Sequence, residues 1–274
     1  MPNDTERSEK LKEDGNQNFQ KGNYIVAESL YSKAIIADDT NPYLYSNRAM
    51  ARLRLGLYDS AIADCQACLK LSSNNMKAYY VLSQCQLAIR DTDTALENAL
   101  RAHRLCVETN DKSLGRVTAQ VLSCKKYRWE ERERRRARDG QELEADVVAL
   151  MMRERDDMVN SCHTDLDRSQ VQEEWDGKIA LLRATFERAR ADADRRREVP
   201  DWAIDDISFG IMVDPVVTKT GKSYERASIE EHLRRHPTDP LTREPLSPKE
   251  LRPNLALKEA CEEFLEQNGW AVDW

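Results

Sequence analysis

Lys12, Asn16, Asn47 and Lys77, all in the first third of the chain, are residues of the types that grip a carboxylate. Lysine supplies a charge-assisted hydrogen bond, and an asparagine amide can bond a peptide backbone while orienting the acid group. Lys12 and Asn16 are four apart and would share one helical face. The same four side chains could equally be ordinary solvated residues. The last quarter carries a second set. Ile207, Phe209 and Pro240 are apolar residues in loop-like stretches, His232 lies between them, and Arg243 comes just after. Exposed, they would form a docking face for a protein; otherwise Ile207 and Phe209 would be core, His232 a satisfied structural histidine and Arg243 a loop cap. Between positions 199 and 274 the only ligands suited to a metal are Cys261, His232 and His236. With no cysteine pair to complete a tetrahedron, neither a metal nor another cofactor is expected. Cys261 has no base near it in sequence and sits on the apolar face of a helical pattern, so packing is expected rather than nucleophilic chemistry.

The elements that must position the first set repeat. Ala27, Ala61 and Ala95 recur every 34 residues, as do Ala34, Cys68 and Ala102, and Gly15, Ala49 and Ser83. That is the period of a helix-turn-helix repeat in which small residues allow close crossing and Tyr31, Tyr45, Tyr58 and Tyr79 fill the gaps. Repeats over 8–41, 42–75 and 76–109 make a domain of residues 1–112. Stacked, their first helices line a concave groove, with Asn47 and Lys77 on the first helices of the second and third. A helix from about Ser113 caps the last repeat, and its charged extension, Lys125 to Arg136, is expected to project into solvent.

Residues 113–198 hold this capping helix and a spacer. Leu143, Val147, Leu150, Met151 and Met158 recur at helical spacing, and Val171, Trp175, Ile179, Leu182, Phe186, Ala189 and Ala193 alternate steps of four and three. The polar stretch 161–169 between them predicts an antiparallel helical hairpin. Its two stripes are best buried by a second copy, as a coiled-coil-like homodimer, although packing back on the repeats is the alternative.

From 199 to 274 the pattern is loop, hairpin, helix, loop, helix. Thr220-Gly-Lys-Ser-Tyr is a turn between two short apolar runs, and Ser228 to His236 reads as a helix with Ser228 as N-cap. Leu255, Leu257, Cys261, Phe264 and Leu265 mark one face of the last helix. This order matches a RING domain whose zinc ligands are missing. Together with Ile-Ser-Phe, Met-Val-Asp-Pro-Val, Gly-Lys-Ser-Tyr-Glu-Arg, Asp-Pro-Leu-Thr-Arg and Pro-Asn-Leu-Ala-Leu-Lys, it resembles the U-box family of ubiquitin ligases.

The first third, in Lys12-Glu-Asp-Gly-Asn16, Asn47-Arg-Ala and Lys77-Ala-Tyr, resembles the carboxylate clamps of chaperone-binding tetratricopeptide domains. Taken in order, the chain is similar to the CHIP family. The resemblance implies a mainly α chain: a three-repeat tetratricopeptide solenoid, a helical-hairpin dimerisation segment and a small α+β, zinc-free RING-like U-box. It also implies a chaperone-associated ubiquitin-protein ligase. Lys12, Asn16, Asn47, Lys77 and Tyr80 would hold the Glu-Glu-Val-Asp tails of cytosolic heat-shock chaperones of the seventy- and ninety-kilodalton classes. Ile207, Phe209, His232, Pro240 and Arg243 would hold a ubiquitin-conjugating enzyme, Arg243 contacting enzyme and ubiquitin together. No covalent intermediate would form on this chain, and the targets would be chaperone-bound, misfolded clients. The alternative is a non-catalytic dimeric co-chaperone adaptor. One departure is Val81, where related clamps often carry a basic or aromatic residue one helical turn after the lysine.

Composition agrees with a helical chain: 40% hydrophobic and 33% charged over 274 residues, with four Phe. A net charge of −7 disfavours nucleic acid as the main ligand, and the Arg-rich runs at 132–138 and 195–197 are interrupted or flanked by acidic residues without an aromatic platform. No apolar run reaches membrane-spanning length, and the polar start is unlike a secretory leader. Seven scattered cysteines, including Cys65-Gln-Ala-Cys68, suit free, packed thiols in a reducing compartment. The expected location is the cytoplasm, with the nucleus also open to it.

Overall fold

The computed structural model describes residues 4–193 and 198–274. The basic run at 195–197 therefore lies outside the described residues.

Six helices form three antiparallel pairs: α1 Thr5–Gln20 with α2 Tyr24–Ala37, α3 Pro42–Arg54 with α4 Tyr58–Leu71, and α5 Met76–Ala88 with α6 Thr92–Thr109. The small residues of the 34-residue period lie where the helices cross, since Ala27, Ala34, Ala49, Ala61, Cys68, Ala95 and Ala102 have no exposed surface. Gly15 is the tightest of these crossings. A Cβ there would come within 2.6 Å of Cε1 of Tyr31, so only glycine lets α2 press its tyrosine against α1. Helix α7 (Leu114–Ser161) comes next and covers the last repeat with Leu114, Val117 and Val121.

By packing, the chain divides into two units, Met1–Trp129 with Asp201–Trp274, and Glu130–Pro200. In the second unit, α7 continues and leads to α8 (Asp165–Ala193). Val148 and Ile179 are buried, and Arg155 reaches Asp176 at 2.8 Å. The first stripe divides. Val147 and Met151 are half-buried, while Leu143, Leu150 and Met158 are exposed.

In the first unit the C-terminal segment has a three-stranded sheet in the order β2-β1-β3, made of β1 Pro215–Val217, β2 Ser223–Glu225 and β3 Arg252–Pro253, with helices α9 Arg226–Arg235 and α10 Leu255–Gln267. The hairpin forms where the sequence places it. Val216 pairs with Tyr224 across a turn in which Gly221 adopts φ +83°. Helix α9 starts two residues before Ser228, and Glu225 stands at its N-cap without a side-chain capping bond. Ser228 is therefore inside the helix, because the strand leads straight into it. The capping asparagine of this segment is Asn254, which accepts from Leu257 N at 3.1 Å at the start of α10. Leu255 is 72% exposed, so the buried face of α10 begins after it, with Cys261 and Leu265.

The charged extension of α7 also departs from expectation. Lys126 pairs with Asp273, Arg128 pairs with Asp93 at 2.7 Å, and the Trp129 indole donates to Gln267 O at 3.0 Å. Burial lowers the Lys125 pKa, although Glu262 and Glu266 act to raise it. Lys126 and Trp129 are thus tied to the C-terminal segment and Arg128 to α6 rather than left in solvent, while Tyr127 is exposed. The same unit packs Val213 among Ala95, Ala99, Val121 and Cys124. It also packs Ala227 against the cluster of Ala102, Cys106, Leu114 and Val117.

Candidate functional site

Four helices of the first unit bring the clamp residues together. The Tyr31 hydroxyl of α2 donates to Oδ1 of Asn16 at 2.8 Å, and Nδ2 of Asn47 donates to the same oxygen at 3.1 Å. Lys77 Nζ of α5 then donates to Oδ1 of Asn47 at 2.7 Å. The result is one chain, Tyr31–Asn16–Asn47–Lys77, along the wall of a cavity of about 150 Å³ lined also by Phe19, Gln20 and Met50. Burial lowers the pKa of Lys77, so an anion entering the cavity would be desolvated beside a cation that lacks full hydration. Lys12, one turn before Asn16, is half-buried and pairs with Glu9 of its own helix, an ion pair that an incoming carboxylate would displace.

A second cavity, about 360 Å³, shares Phe19, Met50 and Lys77 with the first and is lined further by Arg54, Met76, Tyr80, Ser113, Arg116 and Val117. Tyr80 therefore stands on the groove as expected. Val81 does not: it is fully buried between α4 and α5. Arg54, Ser113, Arg116 and Val117 went unrecognised in the sequence, because three of them lie on the capping helix or beside it, outside the repeat period.

The second candidate site is a pair of loops with the same local construction. In one, the Phe209 N–H bonds Asp205 O at 2.8 Å and the Asp205 N–H bonds Gly210 O at 2.9 Å. In the other, the Arg243 N–H bonds Asp239 O at 2.9 Å and the Asp239 N–H bonds Glu244 O at 2.8 Å. Phe209 and Arg243 accordingly share the left-handed conformation, φ +56° and +62°, strain that the closed loops impose on non-glycine residues. Each loop is held from inside by its aspartate. Asp205, with no exposed surface, accepts from Ser208 N (2.8 Å), Ser208 Oγ (2.7 Å) and Glu225 N (2.9 Å). Asp239 accepts from Leu241 N (2.8 Å) and Thr242 N (3.1 Å).

A third buried carboxylate, Asp214, receives Arg226 at 2.6 Å and Lys258 at 3.0 Å. Burial works against its charge, yet the two cations hold its pKa below the ordinary value. Glu225 is the counterexample. Oε2 accepts from Val213 N and Asp214 N at 2.7 and 2.9 Å, Oε1 has no partner among the described residues, and burial pushes its pKa up to about 7. Hydrogen bonds to carboxylates thus tie the loops and strands where a metal would otherwise cross-link them.

Phe209 is 72% exposed at the tip of the first loop, and Arg243 is exposed at the tip of the second. Ile207 is half-buried against the core cluster of Val216, Tyr224, Ile229, Leu233, Leu246 and Leu251. His232 Nε2 donates to Thr238 O at 3.0 Å, tying α9 to the second loop, while Pro240 is half-buried. Leu241, 68% exposed, went unrecognised in the sequence. Aligning the loops on Asp205 and Asp239 sets it opposite Ile207, Thr242 opposite Ser208 and Arg243 opposite Phe209, a correspondence visible only once the hydrogen bonds are known.

Together these features define a zinc-free RING-like domain appended to tetratricopeptide repeats, and a family model of the U-box domain matches residues 199–270. Along almost its whole length the chain is similar to the E3 ubiquitin-protein ligase CHIP of Arabidopsis thaliana, at 30% identity over 267 residues, 96% of this chain and 95% of that one. The chain therefore belongs to the CHIP family of chaperone-associated U-box ubiquitin-protein ligases. Its repeats are similar to the first repeat domain of Spaghetti (RPAP3) bound to an HSP90 peptide, at 31% identity and TM-score 0.38, covering 42% of this chain and 93% of that one. They are also similar to the yeast Sti1 domain in its Hsp70 complex, at 26% identity and TM-score 0.41, covering 43% and 95%.

Proposed function

We propose that the groove holds the acidic Glu-Glu-Val-Asp tails of cytosolic heat-shock chaperones of the seventy- and ninety-kilodalton classes, while the two-loop face holds a ubiquitin-loaded conjugating enzyme. The chain then transfers ubiquitin to the chaperone or to its misfolded client. The observation that carries the tail reading is the hydrogen-bonded run Tyr31–Asn16–Asn47–Lys77. It presents amides and an ammonium to one cavity, with Lys12 one helical turn before Asn16 on α1. Lys12, Asn16, Asn47 and Lys77 take the terminal carboxylates, and Tyr80 walls the apolar part of the tail.

On the other face, Phe209, Pro240 and Leu241 provide apolar contact, with Ile207 and His232 behind them keeping the loops in place. Arg243 reaches across enzyme and ubiquitin. The reaction is attack of a substrate lysine on the thioester carried by the conjugating enzyme. This chain restricts the thioester's motion, and positioning of that kind can lower a barrier by several kcal/mol without an acid or base of its own. The exposed Leu143, Leu150, Met158 and Leu181 of the hairpin unit are the surface for a second copy, giving a homodimer. The site of action is the cytoplasm, with the nucleus open to it.

The test is reconstituted transfer with activating enzyme, a panel of conjugating enzymes, ubiquitin and a chaperone bearing its tail. Ile207→Ala and Arg243→Ala should abolish all ligation, and Lys12→Ala should spare autoubiquitination but lose the chaperone. Tail binding without transfer from any conjugating enzyme would leave a non-catalytic adaptor.

A further inference from the structure

The second compartment of the groove carries more positive charge than a carboxylate clamp needs. Its lining includes Lys77, Arg54 and Arg116 and, among the described residues, no carboxylate. This is in a chain with 49 acidic against 42 basic residues and a net charge of −7. Arg54 closes α3 on one side, and Arg116 stands in the first turn of α7 on the other. Among the described residues Arg54 has no ion pair, and the guanidinium of Arg116 donates to the neutral Ser113 hydroxyl at 2.9 Å. Asp111, the acid just before this turn in sequence, accepts from Ser113 N at 2.7 Å. Two exposed guanidinium groups, without an ion pair among the described residues, thus flank a floor of Phe19, Met50, Met76, Tyr80 and Val117. Arginine's planar fork suits carboxylates and phosphates, and at an exposed site it gains from pairing without a large desolvation penalty.

We propose that this compartment binds an anionic side chain, carboxylate or phosphate, lying upstream of the residues gripped by the clamp. The groove would then read a longer acidic peptide than its terminal residues alone. The inference rests on the tail-binding reading. The two cavities share Phe19, Met50 and Lys77, so a peptide whose C-terminus lies in the first runs directly into the second. Residues beyond the terminal four therefore pass between Arg54 and Arg116. The basic contact absent at Val81 on α5 is supplied from α3 and α7 instead.

The experiment uses the full-length chain and fluorescent decapeptides ending in Glu-Glu-Val-Asp. Residues six to eight from the C-terminus are varied as three Asp, three Ser, a phosphoserine between two Ser, or three Lys. Two partly exposed pairs predict that the Asp and phosphoserine peptides bind about three- to tenfold tighter than the Ser peptide, with the Lys peptide weakest. In the Arg54→Ala/Arg116→Ala variant that spread should shrink below about twofold, at unchanged helicity, because both side chains are exposed. Comparing Asp with phosphoserine separates the two anion sources. Equal binding of all four peptides by the unaltered protein, or an undiminished spread in the double variant, overturns the proposal. Should Lys12→Ala and C-terminal amidation leave every peptide's binding unchanged, the tail reading itself falls, and this proposal with it.

Discussion

Replacing Asp205 with Asn keeps its size and removes its charge, which sets the substitution against every hydrogen bond the carboxylate makes. Both carboxylate oxygens are occupied: Oδ2 by the Ser208 N–H and hydroxyl, Oδ1 by the Glu225 N–H at 2.9 Å. An asparagine offers one acceptor oxygen, so its NH2 must face either the Ser208 or the Glu225 amide. One charge-assisted bond is lost, worth about 1.5–3 kcal/mol, and one buried N–H is left facing a donor, at about 1–3 kcal/mol. A destabilisation of about 3 kcal/mol is a reasonable central figure, and it corresponds to roughly a hundredfold change in the equilibrium for seating the first loop. Phe209 and Ile207 would then be presented in the wrong place. The assay is discharge of ubiquitin from a loaded conjugating enzyme to free lysine, beside amide hydrogen exchange across residues 205–210 and at Glu225. Discharge should fall at least about tenfold and protection should drop at Ser208, Phe209 and Glu225, while tail binding is unchanged. Asp206→Asn is the control, since Asp206 is exposed and, among the described residues, pairs only with Lys222 at the surface. Unaltered discharge and unaltered protection in Asp205→Asn would refute the idea that this buried carboxylate holds the loop.

The same geometry yields three further outcomes. Arg243→Gly should raise thermal stability slightly, by about 1 kcal/mol, because φ +62° is strained for arginine, yet abolish discharge; loss of both together would mean the side chain is structural. Gly15→Ala places a methyl 2.6 Å from the Tyr31 ring, so the repeats should lose about 1–3 kcal/mol and tail affinity should drop several-fold as Tyr31 leaves Asn16. Tyr31→Phe should reproduce the affinity loss with a smaller change in melting temperature, and unchanged affinity in both would break the link. Glu225 has its folded pKa raised to about 7 from 4.5 by burial, with Asp214 and Asp205 adding to it, so the folded state holds the proton more tightly. Its contribution is therefore most favourable below pH 4.5 and is lost as pH rises to about 7. Melting temperatures of wild type and Glu225→Gln should diverge across that window, and a flat difference would show that the carboxyl is not protonated there. The neutral, buried His103, pKa about 4, gives the opposite slope below pH 6.5, which the difference between the two curves removes.

The clamp was legible because its parts keep to the repeat. A 34-residue period fixes the helical register, and register fixes which Lys and Asn face the groove. The two candidate loops were legible as motifs, and their exposed tips, Phe209 and Arg243, stand out in the structure. The reasons those loops hold their shape were not. Asp205, Asp214 and Asp239 look like surface acids in a chain with 49 acidic residues, and burial alone distinguishes them.

Local periodicity, motif and composition carry three helical pairs, a capping helix, a helical hairpin, a small hairpin-and-helix domain and the residues of both candidate sites. The rest depends on contacts between positions far apart in the chain. Trp129 meets Gln267 across 138 residues, Arg116 comes to the same cavity as Lys77, and Val213 packs among Ala95, Ala99, Val121 and Cys124 of much earlier helices. Such contacts leave no period in the sequence, because each is made by a single residue whose neighbours point elsewhere. A basic helical stretch such as 125–129 reads as solvated until its partners, Asp93, Gln267 and Asp273, are in place.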